Sequence, residues 1–312
     1  ILLGKLHKMA LTNKEKVIIW GDNTFYQCGV NGKVHVKSPI ILTKFLKKEI
    51  IEIAIGEAHS MALSKNGTVY TWGWNSNGQC GNGTNETISQ PTPLELNGHV
   101  EHISAGAKHS VALTRNGEVF RWGWFPKNTT KNILKPEKVQ LKLQNNDRVI
   151  QITSCSYSTL MLTEKGLLFA WGLKVNGQHG YESVPCMIEL NNISLKDEKV
   201  TQIISGPSNY TALTSKGNVL SWGFFFSKGI PIRKVDPTLL YLKEYTRVIK
   251  KVLKVGKETI QVETQEGEKL LPIDFEENIN EYENYEASFQ ESIKEMDNIL
   301  NDILTNWENN KV

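Results

Sequence analysis

The chain has 312 residues, of which 39% are hydrophobic and 22% charged, with a formal net charge of +3. That is ample length for a buried core and the composition of a soluble globular protein. No apolar run reaches the roughly eighteen residues of a membrane-spanning helix, and no signal-peptide pattern opens the chain. Residue 1 is Ile rather than Met, so the chain is expected to begin inside a longer polypeptide.

The small net charge conceals an asymmetry. From Phe275 onward there are ten acidic and two basic residues, a balance of −8, which leaves about +11 on the first 274 residues. A basic body raises nucleic acid or an anionic membrane as partners. No block of five Lys or Arg occurs, however, and dispersed lysines are the mark of solvated loops.

In chain order, the first element is a hairpin followed by Trp20-Gly21, and the same phrase then recurs. Trp-Gly pairs fall at Trp20, Trp72, Trp122, Trp171 and Trp222, at spacings of 52, 50, 49 and 51 residues. Before them stand "GKLHKMALTNKEKVIIWG" from Gly4, "GEAHSMALSKNGTVYTWG" from Gly56 and "GAKHSVALTRNGEVFRWG" from Gly106. "CSYSTLMLTEKGLLFAWG" from Cys155, "GPSNYTALTSKGNVLSWG" from Gly206 and the degenerate "GKETIQVETQEGEKLL" from Gly256 complete six copies. A fixed period near 50 residues signals a repeat architecture.

Within each copy, alternation such as Val111, Leu113 and Val119 with polar neighbours predicts half-buried strands. The turn glycine, Gly117 in "RNG", supplies positive φ for a tight hairpin. The first copy has Glu15 at that place. Trp122 reads as a wedge between adjacent sheets. A third strand such as "TPLEL" or "EKVQL" and a fourth such as "HVEHISA" or "RVIQITS" follow each hairpin. One four-stranded antiparallel sheet per repeat is the blade of a β-propeller, an all-β fold.

The pattern GxxHSxAL(T/S)xxGxVxxWGxNxxGQxG resembles the repeat of the regulator of chromosome condensation family. It is nearly complete in "GEAHSMALSKNGTVYTWGWNSNGQCG", residues 56–81, and its second half survives in "WGDNTFYQCG" (20–29) and "WGLKVNGQHG" (171–180). The resemblance covers roughly residues 1–271. It implies a seven-bladed propeller, of which six hairpins are visible. Either upstream sequence supplies the missing strands, or the ring is six-bladed.

From Phe275 the period changes. Tyr282, Tyr285, Phe289, Ile293, Met296, Leu300, Ile303 and Trp307 recur at steps of three and four, which predicts an amphipathic helix starting at Asp274 or Asn280. Two units are therefore expected, a propeller over 1–274 and an acidic helix over 275–312. The helix either packs on the propeller's basic surface or docks a partner through Phe289, Ile293, Met296, Leu300, Ile303 and Trp307.

No catalytic constellation survives inspection. His59 and His109 are the motif histidine in its repeating place, read as hydrogen-bonded inner-strand residues rather than bases. No Walker, nucleophile-elbow or zincin motif occurs, and no C-x-x-C joins Cys28, Cys80, Cys155 and Cys186 into a metal site. No cofactor or metal is expected, and an enzyme with its own nucleophile or base is not. Cys28 and Cys80 hold the same place in successive repeats, too far apart for a disulfide, so reduced thiols and a cytoplasmic setting follow, with the nucleus left open.

The resemblance implies binding of a small GTPase of the Ran or Rab kind, since the family's founding activity is nucleotide exchange. In exchange-active members, acidic residues just before the motif histidine take part, and an inserted wedge of strand reaches the nucleotide site. Here those positions are Leu6, Ala58, Lys108, Tyr157, Ser208 and Glu258, of which only Glu258 is acidic. The connections after the Trp-Gly pairs read as ordinary or short, with no room for a wedge. Partner binding is expected and exchange is not. The aromatic residues after those pairs, Trp74, Trp124, Phe125, Phe224, Phe225 and Phe226, are candidate anchors for the partner, with packing between blades as the alternative. A structural subunit of a larger assembly, joined through the helix, is the competing class.

Overall fold

A computed structural model describes residues 1–32, 34–124, 132–143, 146–172, 186–188, 198–206, 208–227, 230–240, 249–255, 259–264 and 267–272. The expected helix over 275–312, Phe125 and Glu258 lie outside the described residues.

Among the described residues, six antiparallel sheets follow one another along the chain. Blade one comprises β1 (Leu2–Leu3), β2 (His7–Leu11), β3 (Val17–Asp22) and β4 (His35–Ile41). Blade two comprises β5 (Ile50–Ile55), β6 (His59–Ser64), β7 (Val69–Gly73) and β8 (Ile88–Leu94), and blade three β9 (Val100–Ala105), β10 (His109–Thr114), β11 (Val119–Gly123) and β12 (Ile133–Lys138). Blade four has β13 (Val149–Ser154), β14 (Ser158–Thr163), β15 (Leu168–Gly172) and β16 (Cys186–Ile188). Blade five has β17 (Val200–Ser205), β18 (Asn209–Thr214), β19 (Val219–Ser227) and β20 (Ile230–Leu239), and blade six β21 (Lys251–Val255), β22 (Thr259–Thr264) and β23 (Gly267–Pro272). The first strand of each blade packs on the first two strands of the preceding one. This is the propeller that the repeat predicts.

Two details differ from the sequence reading. The strand taken as fourth, "HVEHISA", is β9 and pairs with β10, so it opens the next blade instead of closing its own. The sequence repeat and the blade are therefore out of phase by one strand. The hairpin strands, moreover, are not half-buried. Every residue of β6, β10, β14 and β18 is buried, because each middle strand is sandwiched between two neighbouring sheets. Alternation there separates two buried faces, in β10 one carrying His109, Val111 and Leu113 and the other Ser110, Ala112 and Thr114.

The wedge reading of the tryptophans holds. Trp72, Trp122, Trp171 and Trp222 are fully buried, and Trp122 packs with Met61, Leu63 and Val69 of blade two and Ala112 and Phe120 of its own. Its indole Nε1 donates to the Gln79 carbonyl at 2.8 Å, as Trp72 Nε1 does to Gln27 at 2.9 Å. Gly81 lies so close that a Cβ would stand 2.8 Å from the Trp122 ring, and its φ is +73°. The GQxG half of the motif is thus the socket for the next blade's tryptophan.

Side-chain amides lock the blades nearer the axis. Gln151 bonds both the amide and the carbonyl of Ile203, and Gln202 does the same with Val252, all at 2.8–2.9 Å. Cys28, Cys80 and Cys155 are free and buried.

The hairpin turns show where one copy is strained. Glu15 has φ +59°, in the place where Gly117 has φ +80°. A side chain in the left-handed region costs about 1 kcal/mol. Glu15→Gly should therefore raise stability by somewhat less than ~1 kcal/mol, since glycine also frees the unfolded chain. A thermal melt beside the parent checks this, and a lower melting temperature would contradict it.

Candidate functional site

The motif histidines form a belt inside the propeller. His7 Nε2 meets Ser60 Oγ at 2.6 Å, His59 Nε2 meets Ser110 Oγ at 2.9 Å, and His109 Nε2 meets Thr159 Oγ1 at 2.9 Å. Each histidine thus grips the next blade. The Ser60 and Ser110 hydroxyls donate to the Gln27 and Gln79 carbonyls, so they accept from the imidazoles. Burial holds His7 down to about 4 and His59 and His109 to about 3. They are neutral and closed off from substrate, which makes them positioning groups.

The belt explains which residues change together. A Cβ on Gly56 would stand 2.0 Å from His59 Cε1, so the imidazole demands glycine there. In blade four the histidine becomes Ser158 and the glycine Cys155, whose Sγ lies 3.1 Å from Ser158 Oγ. The next blade compensates with Tyr210, whose hydroxyl reaches back to Ser158 at 3.0 Å. The sulfur and the phenol fill the room an imidazole would take.

Around this belt, in blades one to three, the loop entering the second strand and the one leaving the third share one face. Asp22, Trp74 and Trp124 follow the Trp-Gly pairs, and their amides donate to the carbonyls of Leu6, Ala58 and Lys108, the residues before each motif histidine. The side chains then meet the next blade along. Lys108 Nζ stands 5.8 Å from the centre of the Trp74 ring, and Trp124 meets Tyr157 edge-on at 5.9 Å. Phe25, from the blade-one loop, lies 5.4 Å from Trp74. All five side chains are half-buried. Nearer the axis, Lys5 and Glu57 form an ion pair at 2.9 Å, and burial with the Glu57 charge pushes the Tyr157 phenol up to about 12. Four aromatic rings and a lysine therefore run across four blades on one face.

This arc unites the predicted Trp74, Trp124, Lys108 and Tyr157. It corrects Phe225, which β19 carries into the core between blades five and six, fully buried with Leu240, Ile249 and Val252. Phe226 lies in the same strand, opposite Pro231. The pairing of Phe224–Ser227 with Ile230–Arg233 also makes the connection of blade five an extended hairpin, not the ordinary loop expected. Sequence reading missed Phe25 and Glu57. Aligning "DNTF" with "WNSN" and noting the residue two before each histidine would have found them.

Two buried polar atoms beside the arc are unsatisfied, Glu57 Oε2 and Gln79 Nε2. In blade one, Gln27 Oε1 accepts the Phe25 amide at 2.8 Å and its Nε2 donates to Asp22 Oδ1 at 2.6 Å. In blade two, Gln79 Oε1 accepts the Asn77 amide at 2.9 Å, but its Nε2 is buried without a partner. The cause is Trp74, an indole where the preceding blade has a carboxylate. Leaving a buried donor unpaired costs about 1–3 kcal/mol. Among the described residues no cluster of His, Cys, Asp and Glu could hold a metal ion, and no helix is long and apolar enough to cross a membrane.

The family model described as RCC1-like domain matches residues 1–229. The chain belongs to the RCC1-like domain family. Human E3 ubiquitin-protein ligase HERC2 is 30% identical over 223 residues, which cover 70% of this chain and 4% of the ligase. The human RCC1-like G exchanging factor-like protein is 28% identical over 246 residues, covering 70% of this chain and 51% of that protein. The chain thus spans a small part of the first relative and about half of the second. Among solved RCC1-like structures, Prp20p from Saccharomyces cerevisiae superposes with a TM-score of 0.66 at 25% identity, over 82% of this chain and 66% of that one.

Proposed function

We propose that this RCC1-like propeller is a protein-binding module whose partner docks on the Phe25–Trp74–Lys108–Trp124–Tyr157 face, and that the partner is a small GTPase of the Ran or Rab kind. The arc itself carries the reading, because half-buried aromatic and basic side chains on a rigid scaffold are the composition of interface anchors. The relatives support the GTPase: one is named a G exchanging factor-like protein, and the Prp20p structure is described with binding to Gsp1p and histones. Exchange activity is not proposed. The residues before the motif histidines include a lysine and a tyrosine instead of carboxylates, although the extended hairpin of blade five removes the argument from short connections.

Binding of purified Ran- and Rab-type GTPases, in GDP-bound, GTP-bound and nucleotide-free forms, tests this by biolayer interferometry. Trp74→Ala and Trp124→Ala should each weaken binding by about tenfold or more, the ordinary effect of losing an aromatic anchor. Release of labelled GDP should not accelerate. Unaltered binding in both variants would remove this face from the interface. The second reading, a subunit of a larger assembly with 275–312 as its joint, draws on the small share of HERC2 that the match covers.

A further inference from the structure

Charge is not spread evenly over the blades. Residues 1–48, which form blade one and the turn leading out of it, hold nine lysines, no arginine and two acidic residues, a balance of +7 (9 − 2). That leaves only about +4 (11 − 7) for residues 49–274. Lysines that stand apart in the sequence are gathered by the fold. The Leu42 amide donates to the Val17 carbonyl at 2.9 Å, which joins the end of β4 to the hairpin turn Thr12–Lys16. A short 3-10 turn, Thr43–Phe45, follows. Phe45 is buried and meets Tyr70 edge-on at 5.3 Å, and this anchor leaves Lys44, Leu46 and Lys47 exposed. Ile41 and Leu46, with Ile51 at the start of β5, are 49%, 50% and 45% exposed. We propose that this end of blade one docks on the surface of an anionic lipid bilayer, its lysines facing acidic headgroups and its aliphatic side chains entering the interface.

The lysines are available for this. Among the described residues, Lys14, Lys16, Lys44 and Lys47 form no ion pair, and Lys48 leans over the Tyr70 ring at 5.5 Å. At the same end of the later blades the cations are matched: Lys65 with Glu49 at 3.5 Å, Arg115 with Glu101 at 2.7 Å and Arg148 with Glu164 at 3.2 Å. With Glu49 engaged by Lys65, Glu15 is the carboxylate that opposes the four, a balance of +3 (4 − 1). Each lysine near an anionic leaflet strengthens binding roughly fivefold, and aliphatic side chains add to it by leaving water. A bilayer suits this surface better than nucleic acid does. The patch offers ammonium and aliphatic groups, without the guanidinium forks and stacking rings that read bases. The hairpin-turn end also lies opposite the loops that carry the aromatic face. A propeller docked through blade one therefore holds that face away from the bilayer, so membrane and protein partner can be bound at once. The inference stands apart from the identity of that partner.

Sedimentation of the full chain with vesicles tests this, comparing pure phosphatidylcholine with phosphatidylcholine containing about one third phosphatidylserine. The chain should bind the second about tenfold or more better than the first, and release it as salt rises. Lys44→Gln with Lys47→Gln should weaken that binding by about tenfold or more. Ile41→Ser with Leu46→Ser should weaken it by about fivefold, with the salt dependence unchanged. All four side chains are exposed, so these variants should melt with the parent. Lys135→Gln with Lys254→Gln removes the same charge from exposed positions elsewhere and should change binding by less than about twofold. Equal binding to both vesicles, binding to neither, or aliphatic variants that bind as the parent does would overturn the proposal. So would a loss in the Lys135 and Lys254 pair as large as in the Lys44 and Lys47 pair. Binding to duplex DNA at a salt concentration that leaves vesicles unbound, lost in the Lys44 and Lys47 pair, would make the patch a nucleic-acid surface instead.

Discussion

Trp122→Ala should lower the melting temperature of the whole propeller by about 10 °C or more. The ring is fully buried between blades two and three, against Met61, Leu63 and Val69, and no smaller side chain can fill that space. Truncating a buried Trp to Ala costs about 3–5 kcal/mol, from lost transfer energy and the cavity left behind. The lost indole donor adds little, because the Gln79 carbonyl still accepts from Ser110 Oγ. A whole domain is stable by only about 5–15 kcal/mol, and each kcal/mol moves the melting point of a domain this size by roughly 2–4 °C. Since every blade is held only by its neighbours, the loss spreads beyond one interface. Trp124→Ala, two residues on, removes a half-buried ring that meets Tyr157 edge-on, and should shift the melt by a few degrees at most. Melts of both variants beside the parent separate the roles. Equal depressions would make Trp124 a core residue and withdraw the aromatic face from the interface.

Much of this contrast was legible in the sequence, and the reason is the repeat. Trp122 recurs at a fixed period, so its role had to be one that every blade shares, and packing between blades is such a role. Trp74 and Trp124 stand where blade one has Asp22, so their chemistry belongs to particular blades and no internal copy explains it. The repeat could not give the phase of the blade. "HVEHISA" has the same strand signal whether it pairs backward or forward, and only the β9–β10 register decides. Phe225 was misplaced for a similar reason. Three phenylalanines after a Trp-Gly pair look like a loop until the partner strand "IPIR" is seen to extend the hairpin and turn the middle ring inward. The Cys155–Ser158–Tyr210 exchange was visible only as a loss of motif residues, because the compensation acts across blades about 50 positions apart. The Gln79 amide was beyond sequence reading altogether. An unsatisfied donor is a property of what surrounds it.

The same belt of histidines should make the propeller acid-labile in a window where its carboxylates are still ionised. Unfolded histidine titrates near 6.5, whereas burial depresses His7 to about 4 and His59 and His109 to about 3. Between those limits the unfolded chain binds more protons than the folded one, so stability rises with pH and is lost as pH falls. The geometry supplies the cause. His7 and His59 already donate through Nε2 to a serine, and their Nδ1 atoms are buried with no partner, so an added proton has nowhere to go. Each depressed histidine is worth up to ~1.4 kcal/mol per pH unit, and three together approach about 5 kcal/mol between pH 7 and pH 5. That is a large share of an ordinary domain's stability. His102 acts in the opposite sense, since its bond to Glu52 raises it, but it is half-exposed and offsets little. Urea unfolding at pH 7, 6 and 5 measures the slope. The variant His59→Gln should start less stable at pH 7 yet lose about a third less on acidification, because one of three titrating groups is gone. A stability that stays level from pH 7 to pH 5, or a His59→Gln slope equal to the parent's, would show that the buried imidazoles are not what governs acid stability.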